Sequence, residues 1–293
     1  MNITPRWFTF VGHSVLMAIA LVCVVPYVSL ISISLSKQTD LAEFGYALIP
    51  RTLDFSAYRL LFANPGEILN AYTVSIGVAV VGTFLSLAVI AMVAYPLSRS
   101  DYRWRSPMAF YLFFTMLFHG GLVPWYILIK KLLQLGDTFW VLILPYLANV
   151  WFIFLMRTFM QQIPSSLIEA AKIDGASEFR VFAGIILPLC KPALTTVGLF
   201  ILLQYWNDWW LAMLFIDNEK LVPLQYLLAR MMNNVMFLSS GISTMPSGIE
   251  AGQLPTESLR MAMTVVAVGP MVLIFPFFQK HFVRGLTVGA VKG

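Results

Sequence analysis

Charged side chains are so scarce in this sequence, at 11% of 293 residues, that the few present mark where chemistry is possible. Glu169, Lys172, Asp174, Glu178 and Arg180 fall together in a polar interruption running from Pro164 to Pro192. No nucleophile–base pair accompanies them, so the chemistry on offer is ion pairing and docking, not bond making. Ser166 and Glu169 have the spacing of a capping box, which predicts a helix start. Gly175 suits the left-handed residue that closes a helix, and Ser177 suits the cap of a second one. Leu167, Ile168 and Ala171 share one face of the first helix, and Phe179, Phe182 and Ile186 share one face of the second. The expected unit is a helix–turn–helix corner, apolar inside and charged at its rim.

Motifs for covalent or metal chemistry are missing. No GxxxxGK[ST] phosphate cradle occurs, so any ATP used is hydrolysed on another chain. HExxH, GxSxG and paired-cysteine spacings are absent too, and the three histidines are isolated, which leaves no expected metal site and no expected catalytic residue. Cys23 lies in an apolar run and Cys190 in the interruption, so both read as packing residues.

Composition fixes the solvent that must surround these features. With 59% hydrophobic residues and a mean hydropathy of +0.80, the chain cannot clothe a water-soluble globule and reads as a polytopic membrane protein. The net charge of +5 reflects basic loops at a membrane and gives no sign of nucleic acid. The run between Arg6 and Lys37 is free of charge and longer than the roughly twenty residues a bilayer requires, with Pro26 as a kink or outer end. It lacks a signal-peptide cleavage site and reads as the first span. Residues 38–67 read as an external loop with short helical pieces. The second span is Ile68 to Ser98, the third about Pro107 to Ile129, the fourth Thr138 to Met156.

The fifth span starts near Leu194 and must continue through Asp208 to about Phe215 to reach across. Asp208 is then expected to face protein, water or the outer interface, because a lipid-facing carboxylate costs about 3 kcal/mol or more. Residues 217–260 have a loop composition, including Ser239, Ser240 and Gly241, with a possible helix over Leu224 to Met236. The sixth span, Met261 to Phe278, is expected to be broken by Gly269-Pro270 and by Pro276. Arg99, Arg103 and Arg105 crowd one short loop and place it in the cytoplasm, hence both termini too. Lysines and arginines then number 11 inside and 8 outside. Lys130 and Lys131 fall outside against this bias. His119 reads as a packing or hydrogen-bonding residue, with a proton relay as the alternative.

Glu169-Ala170-Ala171, Gly175 and, after nine residues, Ile185-x-Leu187-Pro188 resemble the EAA signature of the membrane subunits of bacterial ATP-binding-cassette importers. Asp174-Gly175-Ala176, Trp206-Asn207-Asp208 and the ending Gly285 to Gly293 resemble the carbohydrate importers, specifically the shorter permease of a maltose-type heterodimer. The similarity is greatest to the subgroup handling oligosaccharides and polysaccharide fragments, alginate among them.

The resemblance implies an all-α fold of six transmembrane helices, the type I ABC importer permease, forming one domain over residues 1–293. It also implies a bacterial inner-membrane protein. Its implied partners are a second permease subunit, an ABC ATPase dimer carrying ATP and Mg, an extracytoplasmic solute-binding protein and an oligosaccharide substrate, all in membrane lipid. Segment 164–192 would be the lever received by the ATPase, through Glu169, Ala170, Ala171, Asp174, Gly175, Ala176, Leu187 and Pro188. The tail Gly289, Ala290, Val291, Lys292 and Gly293 would reach the ATPase dimer, and the periplasmic loop 217–260 would probe the binding protein. Tyr205, Trp206, Asn207 and Asp208 are candidates for the substrate pathway, although aromatic residues there also serve as interface anchors. An ion-coupled secondary transporter or a membrane receptor is the competing expectation. The first would place coupling charges on the spans and show related halves, neither of which is evident.

Overall fold

The structure, a computed structural model, describes residues 6–241 and 256–290. Among these the secondary structure is helical apart from one isolated antiparallel bridge between Ser36 and Leu53. The helices are α1 (Arg6–Ser34), α2 (Gln38–Phe44), α3 (Ser56–Leu61), α4 (Pro65–Ser98), α5 (Arg105–Leu117), α6 (Leu122–Ile127) and α7 (Val150–Met160). They continue as α8 (Ser165–Ile173), α9 (Glu178–Val181), α10 (Leu187–Leu189), α11 (Lys191–Asn207), α12 (Trp210–Phe215), α13 (Leu224–Gly241) and α14 (Thr256–Ala290). Three are long and apolar enough to cross a bilayer: α1, α4 and the first part of α14. Three bent pairs bring the number of candidate spans to six.

Three of the candidate spans are bent. The third span breaks over residues 118–121, where α5 and the helix formed by α6 and the π-turn Leu128–Leu132 meet at 110°. The fourth opens with two 3₁₀ turns, Phe139–Leu142 and Leu144–Tyr146, set at 52° to α7. The fifth does not run through Asp208: α11 stops at Asn207, Asp208 is extended, and α12 starts afresh. Conversely, α14 continues through Gly269-Pro270 and Pro276, α1 continues through Pro26, and α13 takes in Ser239, Ser240 and Gly241. Neighbouring turns and helices can re-satisfy the backbone group freed by proline in an apolar medium, which is why these prolines do not end helices.

Of the described residues, 6–68 with 228–241 and 256–271 form one compact unit, and 69–227 with 272–290 the other. In the first, the end of α1 is fixed by polar contacts. Ser32 Oγ donates to the Ala47 carbonyl at 2.8 Å, and Ser34 Oγ lies 2.9 Å from the Tyr58 hydroxyl. Gln38 joins this region to the start of α14, its Oε1 accepting from Glu257 N at 3.2 Å. The short helical pieces foreseen over 38–67 are α2 and α3.

The core of the second unit lies where α4 meets α11. A Cβ on Gly82 would sit 2.7 Å from the Tyr205 ring, so only glycine lets that ring lie against α4. The Tyr205 hydroxyl donates to the Ile143 carbonyl at 3.0 Å and lies 2.9 Å from Ser86 Oγ; with its proton committed, it accepts from the serine. One phenol thus fastens α4, the first half of the fourth span and α11. Elsewhere in this unit the Lys130 ammonium sits 3.5 Å from Asp217 and over the Tyr126 ring, so its charge is answered locally, while Lys131 is exposed.

Candidate functional site

The polar interruption folds into the corner its residues foretold, with one change at its start. The first helix, α8, begins at Ser165 with Pro164 as its N-cap, and no side chain caps it. The proposed box of Ser166 and Glu169 is therefore absent: the N-cap is Pro164, two residues earlier, and Ser166 lies inside the helix. The other end matches expectation. Gly175 is left-handed at φ +77°, Ala176 N donates to the Ala171 carbonyl at 2.9 Å, and Gly175 N donates to that of Lys172 at 3.0 Å. That pair of bonds is a Schellman closure. Ser177 then caps α9, its Oγ accepting from Arg180 N. From α9 the chain passes through the π-turn Phe182–Ile186 and α10 into α11, and the α9–α10 stretch lies at 79° to α11.

The apolar faces divide differently from the prediction. Ile168, Phe182 and Ile186 are buried, but Leu167 is exposed, Phe179 is 76% exposed and Ile173 is 86% exposed. Ile173 and Phe179, on either side of the Gly175 turn, give the corner an apolar tip, and Leu167 is exposed at the other end of α8. Around them Glu169, Ala170, Asp174, Gly175 and Pro188 are exposed, and Ala171, Ala176 and Leu187 half-buried.

A chain of charges ties the corner to the end of α4. Arg99 grips Asp101 with two nitrogens, at 2.8 and 2.5 Å. Lys172 of α8 reaches Asp101 at 3.3 Å and Glu178 at 2.6 Å, and the Tyr95 hydroxyl donates to the other Glu178 oxygen at 2.7 Å. The hydrogen bonds from Arg99 hold the Asp101 carboxyl well below the usual range. The Glu178 carboxyl is lowered by Lys172 and then Tyr95, and the Lys172 ammonium is raised by Glu178. Tyr95 and Asp101 were not singled out from the sequence. An acid amid three arginines was the available signal for Asp101, whereas nothing local marks Tyr95.

The second constellation is drawn apart. Tyr205 and Trp206 are buried, Trp206 to 2% exposure, so neither ring is open to stack on a ligand or to anchor at an interface as packed here. Asn207 is exposed at the end of α11, and its amide donates to the Leu203 carbonyl. Asp208 faces protein, accepting from the Tyr146 hydroxyl at 2.9 Å and from Leu211 N at 3.2 Å, the latter a cap on α12. Asn149 and Gln204 meet nearby at 3.5 Å. Two broken spans thus bring Tyr146, Asn149, Gln204, Asn207 and Asp208 into one polar neighbourhood. His119 is exposed in the break of the third span.

Of the tail, Gly289 and Ala290 close α14, while Val291, Lys292 and Gly293 lie outside the described residues. Pro246, Gly248, Gly252 and Pro255 of the long loop also lie outside them.

Residues 90–288 match the family described as "Binding-protein-dependent transport system inner membrane component". The "Polygalacturonan/rhamnogalacturonan transport system permease protein YtcP" of Bacillus subtilis is 38% identical, over 98% of this chain and 99% of the relative. The "Arabinooligosaccharides transport system permease protein AraQ" of Halalkalibacterium halodurans is 30% identical, over 98% and 96%. Among solved structures, a chain from a bacterial ABC transporter "involved in the import of the acidic polysaccharide alginate" superposes with a TM-score of 0.75 at 28% identity, covering 96% of this chain and 99% of that one.

Proposed function

Because the chain belongs to the family of binding-protein-dependent transport system inner membrane components and carries the type I ABC importer permease fold, we propose that its corner over 164–192 is the lever through which an ATPase moves the spans. The chain itself is a non-catalytic membrane subunit of a sugar transport system. One observation carries the lever reading: the corner offers an apolar tip of Ile173 and Phe179 to its surroundings while its base is bonded to α4 and continuous with α11. Two exposed apolar side chains on either side of one turn fit a surface that a partner covers. Glu169, Ala170, Ala171, Asp174, Gly175, Ala176, Leu187 and Pro188 are its proposed contact and hinge residues.

Closure of an ATPase dimer that holds ATP and Mg would displace the tip, and the displacement would pass to α4 and α11. Such coupling requires that nucleotide and substrate each favour one arrangement of the spans. A second permease subunit completes the pathway, and a solute-binding protein delivers substrate to loop 217–260. Gly289 to Gly293 extend toward the ATPase from a cytoplasmic C-terminus. The whole chain acts as one permease domain with both termini in the cytoplasm.

The proposed cargo is an oligosaccharide, in line with relatives named for polygalacturonan, arabinooligosaccharides and alginate. On the pathway, Asn207 is the residue placed to meet it. Asp208, Tyr205 and Trp206 hold the framework around that point.

Single cysteines at Ile173 and Phe179 test the lever. In the membrane complex they should crosslink to a copurifying ATPase and stay closed to impermeant thiol reagents added outside. Labelling from the outside, or purification without any ATPase, would overturn the proposal.

A further inference from the structure

Arg105 opens α5 and Arg157 lies near the end of α7, and these two helices pack on each other. Neither arginine forms an ion pair with a carboxylate among the described residues. A cation at a helix start also opposes the helix dipole, and the first turn of α5 has no acid to relieve it. Two further donors are idle: Arg157 Nε and Arg99 Nη1 are buried without an acceptor among the described residues. A buried donor in that condition calls for an acceptor from elsewhere.

Two of these arginines, Arg99 and Arg105, border an opening. A cleft of about 760 Å³ is lined by Arg99, Arg105, Gln161, Gln162 and the start of α8, whose backbone N–H groups have no side-chain cap. Asp101 and Glu169 also line it. Asp101 is engaged by Arg99 and Lys172, which leaves Arg105 unanswered in the cleft.

The depth of the cleft identifies the anion's source. Trp104, beside Arg105, is exposed with Arg103 over its ring at 5.8 Å, and α5 beyond it has no buried residue. An exposed tryptophan and arginines at the end of an apolar helix mark headgroup level. We propose that Arg105 and the spare nitrogen of Arg99, aided by Gln161, bind the phosphate of an anionic phospholipid in this cleft between α5, α7 and the lever. Basic recesses between membrane helices suit such headgroups. Lys172 of the lever lines the same cleft, so a bound headgroup would stiffen the lever's base.

Native mass spectrometry of the full chain in its membrane complex, released from bilayers of phosphatidylcholine with phosphatidylglycerol in both leaflets, tests this independently of orientation and of transport. Phosphatidylglycerol should be retained in preference to phosphatidylcholine. Arg105→Gln should weaken retention about fivefold, as expected for one basic group at a membrane surface. Arg105→Lys, which keeps the charge, should restore most of it. As a second readout, phosphatidylglycerol should raise the thermal midpoint of the parent complex more than that of Arg105→Gln. Equal retention of the two lipids, or retention unchanged by Arg105→Gln, would overturn the proposal. So would an equal thermal shift from inorganic phosphate alone, or an Arg105→Cys crosslink to an acidic segment of a partner protein in lipid-free detergent.

Discussion

Tyr95, near the end of α4, donates its hydroxyl hydrogen to Glu178 Oε2 at 2.7 Å, and so joins a membrane span directly to the second helix of the lever. The phenol ring also packs on Phe182, with centroids 5.2 Å apart. Tyr95→Phe keeps that packing and removes only the bond. In an exposed network each link contributes about 0–1 kcal/mol, so folding should scarcely change. Uptake per ATP hydrolysed should fall. Parallel assays of transport and ATPase activity in proteoliposomes check this; an unchanged ratio would remove Tyr95 from the transmission route.

Gly175 supplies the turn at the lever's tip. No atom lies within 4 Å of where a Cβ would stand, so backbone strain at φ +77° is the whole cost of a side chain. That cost is about 1 kcal/mol for alanine and less for asparagine, which tolerates the left-handed region better. Gly175→Asn should therefore retain more uptake than Gly175→Ala, and Gly175→Val should retain least, with similar amounts of all three in the membrane. Uptake that ignores this order would show the turn's conformation to be unimportant.

Features decided within a few residues were readable in advance, which is why Gly175, Ser177 and the six apolar segments emerged from the sequence. The breaks in the spans did not. Hydropathy averages over a window and does not register the four-residue gap over 118–121 or the fresh helix start after Asp208. Pairing across the chain was equally hidden: the partner of Lys130 is Asp217, and that of Asp208 is Tyr146. Burial of Trp206 depends on the path of α4, which no local pattern encodes. The Ser166–Glu169 spacing misled because Pro164 fixes its own φ and starts the helix first.

The charge network sets a pH window. Hydrogen bonds from Arg99 and then Lys172 depress the Asp101 carboxyl, so its contribution to stability is present above the ordinary value of 3.8 and is lost as pH falls through the folded value. Lys172 is raised by Glu178 and then Asp101, so its contribution is present below the ordinary 10.5 and is lost as pH rises through the raised value. Between about pH 5 and about pH 9 both are in place. The difference in thermal midpoint between the parent complex and Asp101→Asn should be constant across that interval and shrink on further acidification. Because the Asp101 side chain is 55% exposed, the effect should stay within about 1 kcal/mol and weaken with salt. A difference that grows in acid would contradict the assignment.

Gly82→Ala should destabilise the second unit, because its new Cβ would press on the Tyr205 ring at 2.7 Å. Overpacking of this kind costs about 1–3 kcal/mol. Tyr205→Phe should not relieve it, since the contact is with ring carbons, and adds the loss of bonds to Ile143 and Ser86. Tyr205→Leu, with a smaller side chain, should lower the parent's stability yet soften the effect of Gly82→Ala. A thermal-shift cycle on the four combinations measures the coupling. Strict additivity would mean that α4 and α11 do not meet there.

Asn207 and Trp206 are adjacent in sequence, yet their substitution should fail in different ways. Trp206 is buried to 2% exposure, so Trp206→Ala opens a cavity costing about 3–5 kcal/mol and should lower the amount of assembled complex. Asn207 is exposed, and its side chain bonds only to the carbonyl one turn back, so Asn207→Ala should leave assembly intact. If the polar neighbourhood of Tyr146 and Asp208 lies on the sugar's path, Asn207→Ala should raise the concentration needed for half-maximal uptake while ATPase activity without substrate stays the same. Uptake measured against a series of labelled neutral and acidic oligosaccharides would separate the two outcomes. Normal uptake of every member by Asn207→Ala would move the path elsewhere, and normal assembly of Trp206→Ala would contradict the packing around α11.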